Sequence, residues 1–454
     1  MGTPLPEEFM ESMRRELGGE AQALFAALDG EASVAVRMNP AKGIVPIGDR
    51  AVPWSAYGRY FDRRPQFTLD AAFHAGAYYV QEAGSQFVEY LLRGERIEGS
   101  RILDMCAAPG GKTTIYSTAA GRDGLVVAND CVRSRANTLA DNVRKWGMGN
   151  TVVTVCEPSA LAAFGQWFDV VAVDAPCSGE GMFRKDETAR MEWSAEGVRM
   201  CAERQLSILR YGWQALRPGG LLLYSTCTFN TTENEGVLRA FAMEYGSEMA
   251  PAEVAHIDAS WGIAAASEGA FATFRFMPHR TEAEGFFAAV VRKSPDVPLR
   301  VSVPRLRRHI LSEVGSAERR ELSRWVAESQ QMRFVAAGDT VYALRSARYD
   351  DIRLLAESLP TIYSGVAVGR VFKGALKPDW ALSHYCGLNL SAAPCTGLDR
   401  EQVLDYLRRR EVEAERFAEG VNIVLCGGLP LGFAKRIGAR VNNMYPNSLR
   451  IMNM

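Results

Sequence analysis

Residues 102–113 read Ile-Leu-Asp-Met-Cys-Ala-Ala-Pro-Gly-Gly-Lys-Thr, and this segment carries the strongest fold signal in the chain. A short apolar run ends at Asp104, a turn of small residues runs from Cys106 to Gly111, and a helix-compatible segment opens at Lys112. Glycines allow the backbone to approach a ligand closely, and a helix N-terminus presents unpaired N–H groups. The pattern therefore predicts a cofactor cradle between a strand and a helix of a doubly wound α/β sheet.

Two better-known glycine motifs do not match this turn. The phosphate-binding loop, G-x-x-x-x-G-K-[ST], requires a glycine where Cys106 stands, although Gly111, Lys112 and Thr113 fit. The dinucleotide motif, G-x-G-x-x-G, fails because the turn holds only the pair Gly110-Gly111. A phosphate-loop nucleotidase is therefore disfavoured.

An acidic residue, Asp130, follows the next apolar run at 125–129. In doubly wound sheets an acid at this place binds a ribose hydroxyl. A nucleoside cofactor without a pyrophosphate fits both features, so S-adenosylmethionine is the favoured cofactor. Taken alone, the motif is also compatible with an ordinary strand–helix turn followed by an incidental acid.

The central part of the chain alternates strand and helix patterns. This alternation predicts a mostly parallel, Rossmann-like sheet with helices on both faces. Two late strand patterns bring the predicted total to seven strands. The predicted strands are 101–105, 125–129, 151–155, 168–173, 221–226, 272–277 and 286–292, and the predicted helices are 112–120, 132–146 and 196–216.

The remaining segments predict modules on both sides of this sheet. With 454 residues, the chain is long enough for about three domains. An N-terminal α+β extension is expected to include a helix over 6–28, a strand over 33–38 and an aromatic, arginine-bearing stretch at 53–80. A proline-bearing linker at 294–304 precedes a mixed region and a small β-rich end. The predicted division is 1–95, 96–296, 300–380 and 381–454.

Composition limits the classes of protein. The net charge is −1, but residues 301–454 hold 22 basic and 16 acidic residues, against 30 and 37 in the preceding 300. A basic end on an acidic body suggests a module that docks on a polyanion. The nine cysteines lack zinc-ligand spacing, and no run of eighteen apolar residues exists. We therefore expect free thiols, no metal, no membrane span and a cytoplasmic protein.

Two further strand ends carry chemistry. The fourth strand leads into Asp174-Ala-Pro-Cys-Ser-Gly-Glu-Gly181, and the fifth leads into Tyr224-Ser-Thr-Cys-Thr228. Ligands bind outside the carboxyl ends of the strands in an open α/β sheet, so Asp174, Cys177 and Cys227 are expected at the rim that holds the cofactor. Each cysteine alone is more often a small buried apolar residue, but two such thiols beside one carboxylate favour a reactive site.

A thiol beside a methyl donor suits one reaction in particular. Carbon 5 of cytosine becomes nucleophilic when a thiolate adds to carbon 6, because the adduct has enamine character. An acidic group near ring nitrogen 3 would stabilise that adduct, and Asp174 suits this role if it is protonated or shares a proton with the base. The residues alone do not decide whether Cys177 or Cys227 attacks.

With these motifs the chain resembles the RNA cytosine-5 methyltransferases of the Sun/Fmu type, and among them the RsmF-like ribosomal RNA enzymes. The resemblance rests on six stretches and covers nearly the whole chain. They are 74–82, 104–113, 174–181, 225–228 and the C-terminal pair 432–436 and 443–447, which look like that subfamily's PUA-like RNA-binding module.

The resemblance implies residue roles that spacing does not supply. It implies that Cys227 is the nucleophile, that Cys177 assists elimination and that Asp174 lies between cofactor and base. It also implies that Lys112 touches the target base as well as the cofactor. The cofactor-binding residues so implied are Cys106, Ala107, Ala108, Pro109, Gly110, Gly111, Lys112, Asp130, Glu157 and Asp174. Glu157 departs from the pattern, because relatives often carry Asp there.

The expected function is methylation of carbon 5 of a cytosine in RNA, with 16S ribosomal RNA or the small ribosomal subunit as the favoured partner. Two alternatives stay open: the same chemistry on transfer RNA, and an RNA-binding ribosome-assembly factor without catalysis. A paired base is poorly reachable, so the target is expected to be unpaired or flipped. A monomer is expected, with Lys435 and Arg436 binding RNA.

Overall fold

The computed structural model describes residues 3–43, 47–306 and 309–452. The N-terminal region forms a four-stranded antiparallel sheet, in the order β2-β3-β1-β4, flanked by short helices. Its elements are α1 (Glu7–Leu17), α2 (Ala21–Leu28), β1 (Val34–Met38), β2 (Arg50–Ala51), β3 (Gly58–Phe61), α3 (Ala71–His74), β4 (Tyr78–Val80) and α4 (Phe87–Leu91). The single helix predicted over 6–28 is wrong: Gly18 ends α1 with φ 56°, a conformation that favours glycine, and a second helix follows.

The central region forms a mixed sheet of ten strands with helices on both faces. Its elements are β5 (Arg101–Asp104), α5 (Gly111–Ala120), β6 (Leu125–Asn129), α6 (Arg133–Trp146), β7 (Thr151–Thr154), α7 (Pro158–Ala162), β8 (Phe168–Asp174), α8 (Glu187–Glu192), α9 (Ala195–Ala215), β9 (Leu216–Thr226), α10 (Glu235–Tyr245), β10 (Met249–Ala250), β11 (Ala264–Glu268), β12 (Phe271–Phe276) and β13 (Phe286–Lys293). The doubly wound Rossmann-like fold is confirmed, since all seven predicted strands occur in this sheet.

The order of the sheet explains where the site lies. Five parallel strands run β9-β8-β5-β6-β7, and β13, β12 and β11 continue the sheet antiparallel beyond β9. Apolar side chains on both faces are buried under the flanking helices, such as Val127 and Val171 on one face and Val126 and Val170 on the other. The carboxyl ends of β5, β6, β8 and β9 therefore meet at one edge, which brings Asp104, Asp130, Asp174 and Cys227 together.

The C-terminal region adds two sheets and one strand of the central sheet. Its elements are β14 (Ser312–Glu313), α11 (Ser316–Ser323), β15 (Met332–Ala337), β16 (Thr340–Arg345), α12 (Tyr349–Ser358), β17 (Thr361–Ser364), β18 (Val366–Phe372), β19 (Ala375–Pro378), α13 (Trp380–His384), β20 (Cys395–Gly397), α14 (Arg400–Leu407), β21 (Gly420–Cys426), β22 (Leu429–Ile437) and β23 (Arg440–Asn443). The orders are β14-β15-β16-β18-β19 and β20-β21-β22-β23.

Strand β17 connects this region to the catalytic sheet. It pairs antiparallel with β7, with Ser364 opposite Val152, although it lies within the stretch predicted as a separate intermediate domain. Leu344, Ile352 and Leu355 are buried in the same apolar cluster as Val127 and Val171. Residues 335–364 therefore share a hydrophobic core with the central sheet.

Candidate active site

The glycine turn after β5 forms the cradle that its sequence predicts. Gly110 precedes α5 with φ 114°, which favours glycine, and a Cβ there would lie 3.1 Å from Leu139. The hydroxyl of Thr113, in the first turn of α5, donates to Asp104 Oδ2 at 2.7 Å. This bond ties the start of α5 to the end of β5 and fixes the intervening turn.

Asp104 is a buried carboxyl group with one unused oxygen. It is 1% exposed, and its Oδ1 has no hydrogen-bond partner among the described residues. Burial raises the pKa of Asp104 to about 7, while the hydrogen bond from Thr113 opposes the shift. A positively charged group placed beside Oδ1 would stabilise the ionised form.

A cavity of about 680 Å³ lies beyond the ends of β5, β6, β7 and β8; we call it the Asp130 cavity. Its volume is typical of a small-molecule site. The residues that line it and carry the argument are Cys106, Ala108, Asp130, Glu157, Asp174, Cys177 and Cys227. The predicted acidic residues therefore stand around one cavity together with the glycine turn and both thiols.

Asp130 is held in place by two groups on the chain that follows it. Its Oδ1 accepts the backbone N–H of Val132 at 2.9 Å, and its Oδ2 lies 3.2 Å from the guanidinium of Arg135. Arg135 also lines the Asp130 cavity, and the sequence interpretation missed it. Its position in the first turn of α6, five residues after Asp130, could have identified Arg135 from the sequence.

These residues fit S-adenosylmethionine. Asp130 and Glu157 offer acceptors for ribose hydroxyls and the adenine amino group, and the unpaired Oδ1 of Asp104 offers an acceptor for a cationic group. Burial raises the pKa of Cys106, so this thiol stays protonated beside the turn.

A second cavity, of about 360 Å³, opens on the other side of the glycine turn; we call it the Gln81 cavity. Gln81, Ala107, Pro109, Gly111, Lys112 and Lys185 line it, and it shares Cys106, Ala108, Asp174 and Cys227 with the Asp130 cavity. Two compartments therefore meet at Asp174 and Cys227. Cys177 lines the Asp130 cavity and is not among the lining residues of the Gln81 cavity.

Lys112 and Asp174 form an ion pair at this junction. Lys112 Nζ lies 2.9 Å from Asp174 Oδ2, and Ser225 Oγ donates to Asp174 Oδ1 at 2.7 Å. Burial opposes the charge on Lys112, but the attraction and hydrogen bond of Asp174 outweigh it and raise the pKa of Lys112. Lys112 is therefore a fixed positive charge at the wall of the Gln81 cavity.

The two thiols are in direct contact. Cys177 Sγ lies 2.9 Å from Cys227 Sγ. The hydrogen bond with Cys227, together with burial, raises the pKa of Cys177 well above its ordinary value. Cys177 therefore keeps its proton at neutral pH and is able to donate it in a hydrogen bond to the sulfur of Cys227.

Two buried carboxylates hold the loops that carry these thiols. Glu180 follows Cys177 in the chain. Its Oε2 accepts hydrogen bonds from Thr228 Oγ1 at 2.6 Å and from the backbone N–H groups of Phe229 and Asn230 at 2.8 and 3.0 Å. These three donors lie just after Cys227. Trp193 Nε1 and Asn230 Nδ2 donate to the other oxygen of Glu180, each at 3.0 Å.

Glu233, which follows Cys227, binds the loop that carries Cys177. Its Oε2 accepts hydrogen bonds from the backbone N–H of Ser178 at 2.9 Å and from Gln205 Nε2 at 2.8 Å. Sequence interpretation missed both positioning carboxylates, although Glu180 lies inside the second motif.

The C-terminal basic residues lie apart from both cavities. Lys435 is exposed and lines an 870 Å³ groove together with Arg144 and Lys377. Arg436 is half-buried, and its guanidinium donates to the carbonyl groups of Phe417 and Gly438 at 2.7 and 2.8 Å. The structure therefore presents Lys435 to a ligand and engages Arg436 within the module.

The aromatic stretch at 53–80 is mostly core. Trp54, Tyr60, Phe67 and Tyr78 are at most 7% exposed. These side chains pack rather than present a stacking surface. Within the described ranges, no group of three or more His, Cys, Asp and Glu side chains is arranged to hold a metal ion, and no helix is long and apolar enough to cross a membrane.

Three family models match the chain in consecutive segments. Residues 5–83 match the N-terminal domain of 16S rRNA methyltransferase RsmF, residues 92–292 match 16S rRNA methyltransferase RsmB/F, and residues 393–451 match the methyltransferase RsmF PUA domain. The three matches follow the order of the N-terminal sheet, the central sheet and the last sheet.

Full-length relatives and solved structures agree with these matches. The ribosomal RNA small subunit methyltransferase F of Erwinia tasmaniensis is 31% identical, over 88% of this chain and 84% of its own, and that of Vibrio cholerae is 30% identical over 98% and 97%. A methyltransferase homolog protein from Pyrococcus horikoshii is 25% identical with a TM-score of 0.53, over 63% of this chain and 95% of its own. NSun6 from the same organism, solved with SFG, shares the fold at 20% identity and a TM-score of 0.54, over 65% of this chain and 100% of its own.

The identity to full-length relatives, the three consecutive family matches and the paired cavities at the strand ends lead to one assignment. The chain belongs to the ribosomal RNA small subunit methyltransferase F family, and it is an RNA methyltransferase whose methyl donor is S-adenosylmethionine.

Proposed function

We propose that this enzyme methylates carbon 5 of a cytosine in 16S ribosomal RNA through a covalent adduct with Cys227. The observation that carries the proposal is the position of Cys227, which lines both the Asp130 cavity and the Gln81 cavity. A methyl donor in the first and a flipped base in the second would meet at this thiol.

The contact between the two sulfurs supports Cys227 as the nucleophile. Cys177 has a raised pKa because of its hydrogen bond with Cys227 and its burial, so it stays a thiol that is able to donate to the Cys227 sulfur. A thiolate that accepts a hydrogen bond is stabilised. Cys227, which lines both cavities, is the sulfur assigned to attack carbon 6, and Cys177, which lines only the Asp130 cavity, supplies a proton-bearing group beside it.

The reaction follows from the residues around the base. The Cys227 thiolate bonds to carbon 6, the carbon 5–carbon 6 double bond opens, and negative charge moves toward ring nitrogen 3, where the Lys112 ammonium, held in place by Asp174, stabilises it. Bound S-adenosylmethionine supplies the methyl group to carbon 5. Release transfers the carbon 5 proton to water and expels the Cys227 thiolate, and the Cys177 thiol assists by a hydrogen bond to the departing sulfur.

The cofactor would be held by the groups around the Asp130 cavity. The backbone of 106–111 and the side chains of Asp130 and Glu157 would bind it, and Asp104 Oδ1 would pair with a cationic group. The flanking modules would hold the RNA while one nucleotide enters the Gln81 cavity.

The test compares wild type, Cys177→Ala and Cys227→Ala with labelled S-adenosylmethionine and ribosomal RNA on a denaturing gel. Cys177→Ala is expected to accumulate a covalent protein–RNA band, and Cys227→Ala is expected to give neither band nor methylation. If Cys227→Ala still methylates while Cys177→Ala is inactive without an adduct, the roles of the two thiols are reversed. If wild type yields no 5-methylcytosine, the proposed reaction is wrong.

A further inference from the structure

Gln81 carries a buried amide that makes no hydrogen bond to any residue that the structure describes. It follows β4 directly, is 6% exposed, and neither Oε1 nor Nε2 makes a hydrogen bond within the described ranges of the chain. More than nine in ten buried polar groups in folded proteins are hydrogen-bonded, so an amide with both ends unused requires an explanation. A ligand that enters after folding supplies one.

The amide lies at the wall of the cavity that would receive the base. Gln81 lines the Gln81 cavity together with Lys112, Asp174 and Cys227. Its Nε2 lies 3.3 Å from the position that a Cβ on Gly111 would occupy, so it packs against the residue next to Lys112. An unused donor and an unused acceptor therefore stand beside the reacting groups.

The backbone of Gln81 is firmly held although its side chain is not. Its N–H donates to the carbonyl oxygen of Ala35 at 3.1 Å, and its carbonyl oxygen accepts Gln86 Nε2 at 3.1 Å. The Glu82 carboxylate accepts the next free N–H groups, those of Gly84 and Ser85, at 2.6 and 2.7 Å. The backbone of Gln81 is therefore preorganised, and its carboxamide extends from a fixed point at the wall of the Gln81 cavity.

The chemistry of a carboxamide matches a pyrimidine. The polar edge of cytosine presents an amino donor beside a ring-nitrogen acceptor, and a carboxamide presents an acceptor and a donor in one plane. We propose that Gln81 is a substrate-binding residue whose carboxamide hydrogen-bonds the polar edge of the flipped cytosine. The inference rests on the proposed function and assigns to it a residue from the N-terminal region, outside the methyltransferase sheet.

The first test uses Gln81→Met, which keeps the length of the side chain and removes both hydrogen-bonding groups. Because the amide has no partner in the free protein, the melting temperature is expected to stay unchanged or rise, and the Kd for S-adenosylmethionine is expected to stay unchanged. The kcat/KM for RNA is expected to fall about 10- to 100-fold. Gln86→Met is the matched control: Gln86 Nε2 donates to the Val36 and Gln81 carbonyl groups, so its loss is expected to lower the melting temperature.

The second test measures how much the target base contributes to RNA binding. The ratio of Kd values for RNA with an abasic target site and RNA with the target cytosine is expected to be large for wild type and smaller for Gln81→Met. An unchanged ratio, or a fall in melting temperature with unchanged KM, overturns the assignment of Gln81. A wild type that makes no 5-methylcytosine refutes the proposed function instead, so the two failures are distinguishable.

Discussion

Replacement of Glu180 tests whether a buried carboxylate holds the Cys227 loop. Its two oxygens accept five hydrogen bonds, from Thr228, Phe229, Asn230 twice and Trp193. Glu180→Ala removes all five hydrogen bonds. It leaves the Phe229 and Asn230 backbone N–H groups and Trp193 Nε1 without this acceptor, which should lower the free energy of unfolding by about 3–5 kcal/mol. For a chain of 454 residues the melting temperature is then expected to fall by about 3–5 °C.

The same substitution should affect catalysis by displacing Cys227. A shift of about 1 Å in a reacting group costs about 100-fold in rate, so kcat for methyl transfer is expected to fall by that order. Glu180→Gln keeps the size of the side chain but turns one acceptor into a donor, and it should lose about 1–3 kcal/mol. Scanning calorimetry and a labelled methyl-transfer assay measure the two effects.

A matched control separates this network from general loss of charge. Glu192 is exposed on α8, so Glu192→Ala should leave the melting temperature and kcat near their wild-type values. The reasoning is refuted if Glu180→Ala melts within about 1 °C of wild type, because five lost hydrogen bonds cannot cost so little.

Two further predictions concern charge. Lys435→Gln should weaken RNA binding and reduce the slope of log K against log salt concentration by about 0.7–0.9. Replacement of the exposed Arg239 by Gln is the control. An unchanged slope for Lys435→Gln contradicts a role of Lys435 in phosphate binding. Burial raises the pKa of Asp104 to about 7, from about 3.9 in the unfolded chain. Protonated Asp104 therefore stabilises the fold fully below pH 4, and this stabilisation is lost as the pH rises through 7. The free energy of unfolding should fall by about 4 kcal/mol over that range. Subtracting the pH–stability curve of Asp104→Asn from that of wild type should show this decrease, and a flat difference contradicts it.

The parallel sheet was predictable because its signals are local. Each strand is a short apolar run, and each run ends in a residue that a ligand site needs, such as Asp104, Asp174 and Cys227. The meeting of these residues follows from the rule that parallel strands end at one edge. Asp130 and the glycine turn were predicted for the same reason, because each follows a short apolar run.

The residues that sequence interpretation missed act through distant contacts. Glu180 matters because its partners lie about 50 positions away in the chain, and Gln81 because the start of α5 packs against it. No pattern near either residue reveals these neighbours. Arg436 is the opposite case, because the sequence predicts an RNA contact. In the structure its guanidinium donates to the Phe417 and Gly438 carbonyl groups within the module. Composition alone does not tell such a residue from an exposed one.

Strand β17 has a consequence for the order in which the protein folds during its synthesis. The edge of β7 has no partner until residues 361–364 have left the ribosome, about 200 positions after β7 itself. Until then the nascent chain presents an unprotected edge of a parallel sheet, which is a site for pairing with other chains. A fragment cut at residue 296 would keep that exposed edge permanently, so the boundary that looks natural in sequence would yield an aggregation-prone enzyme.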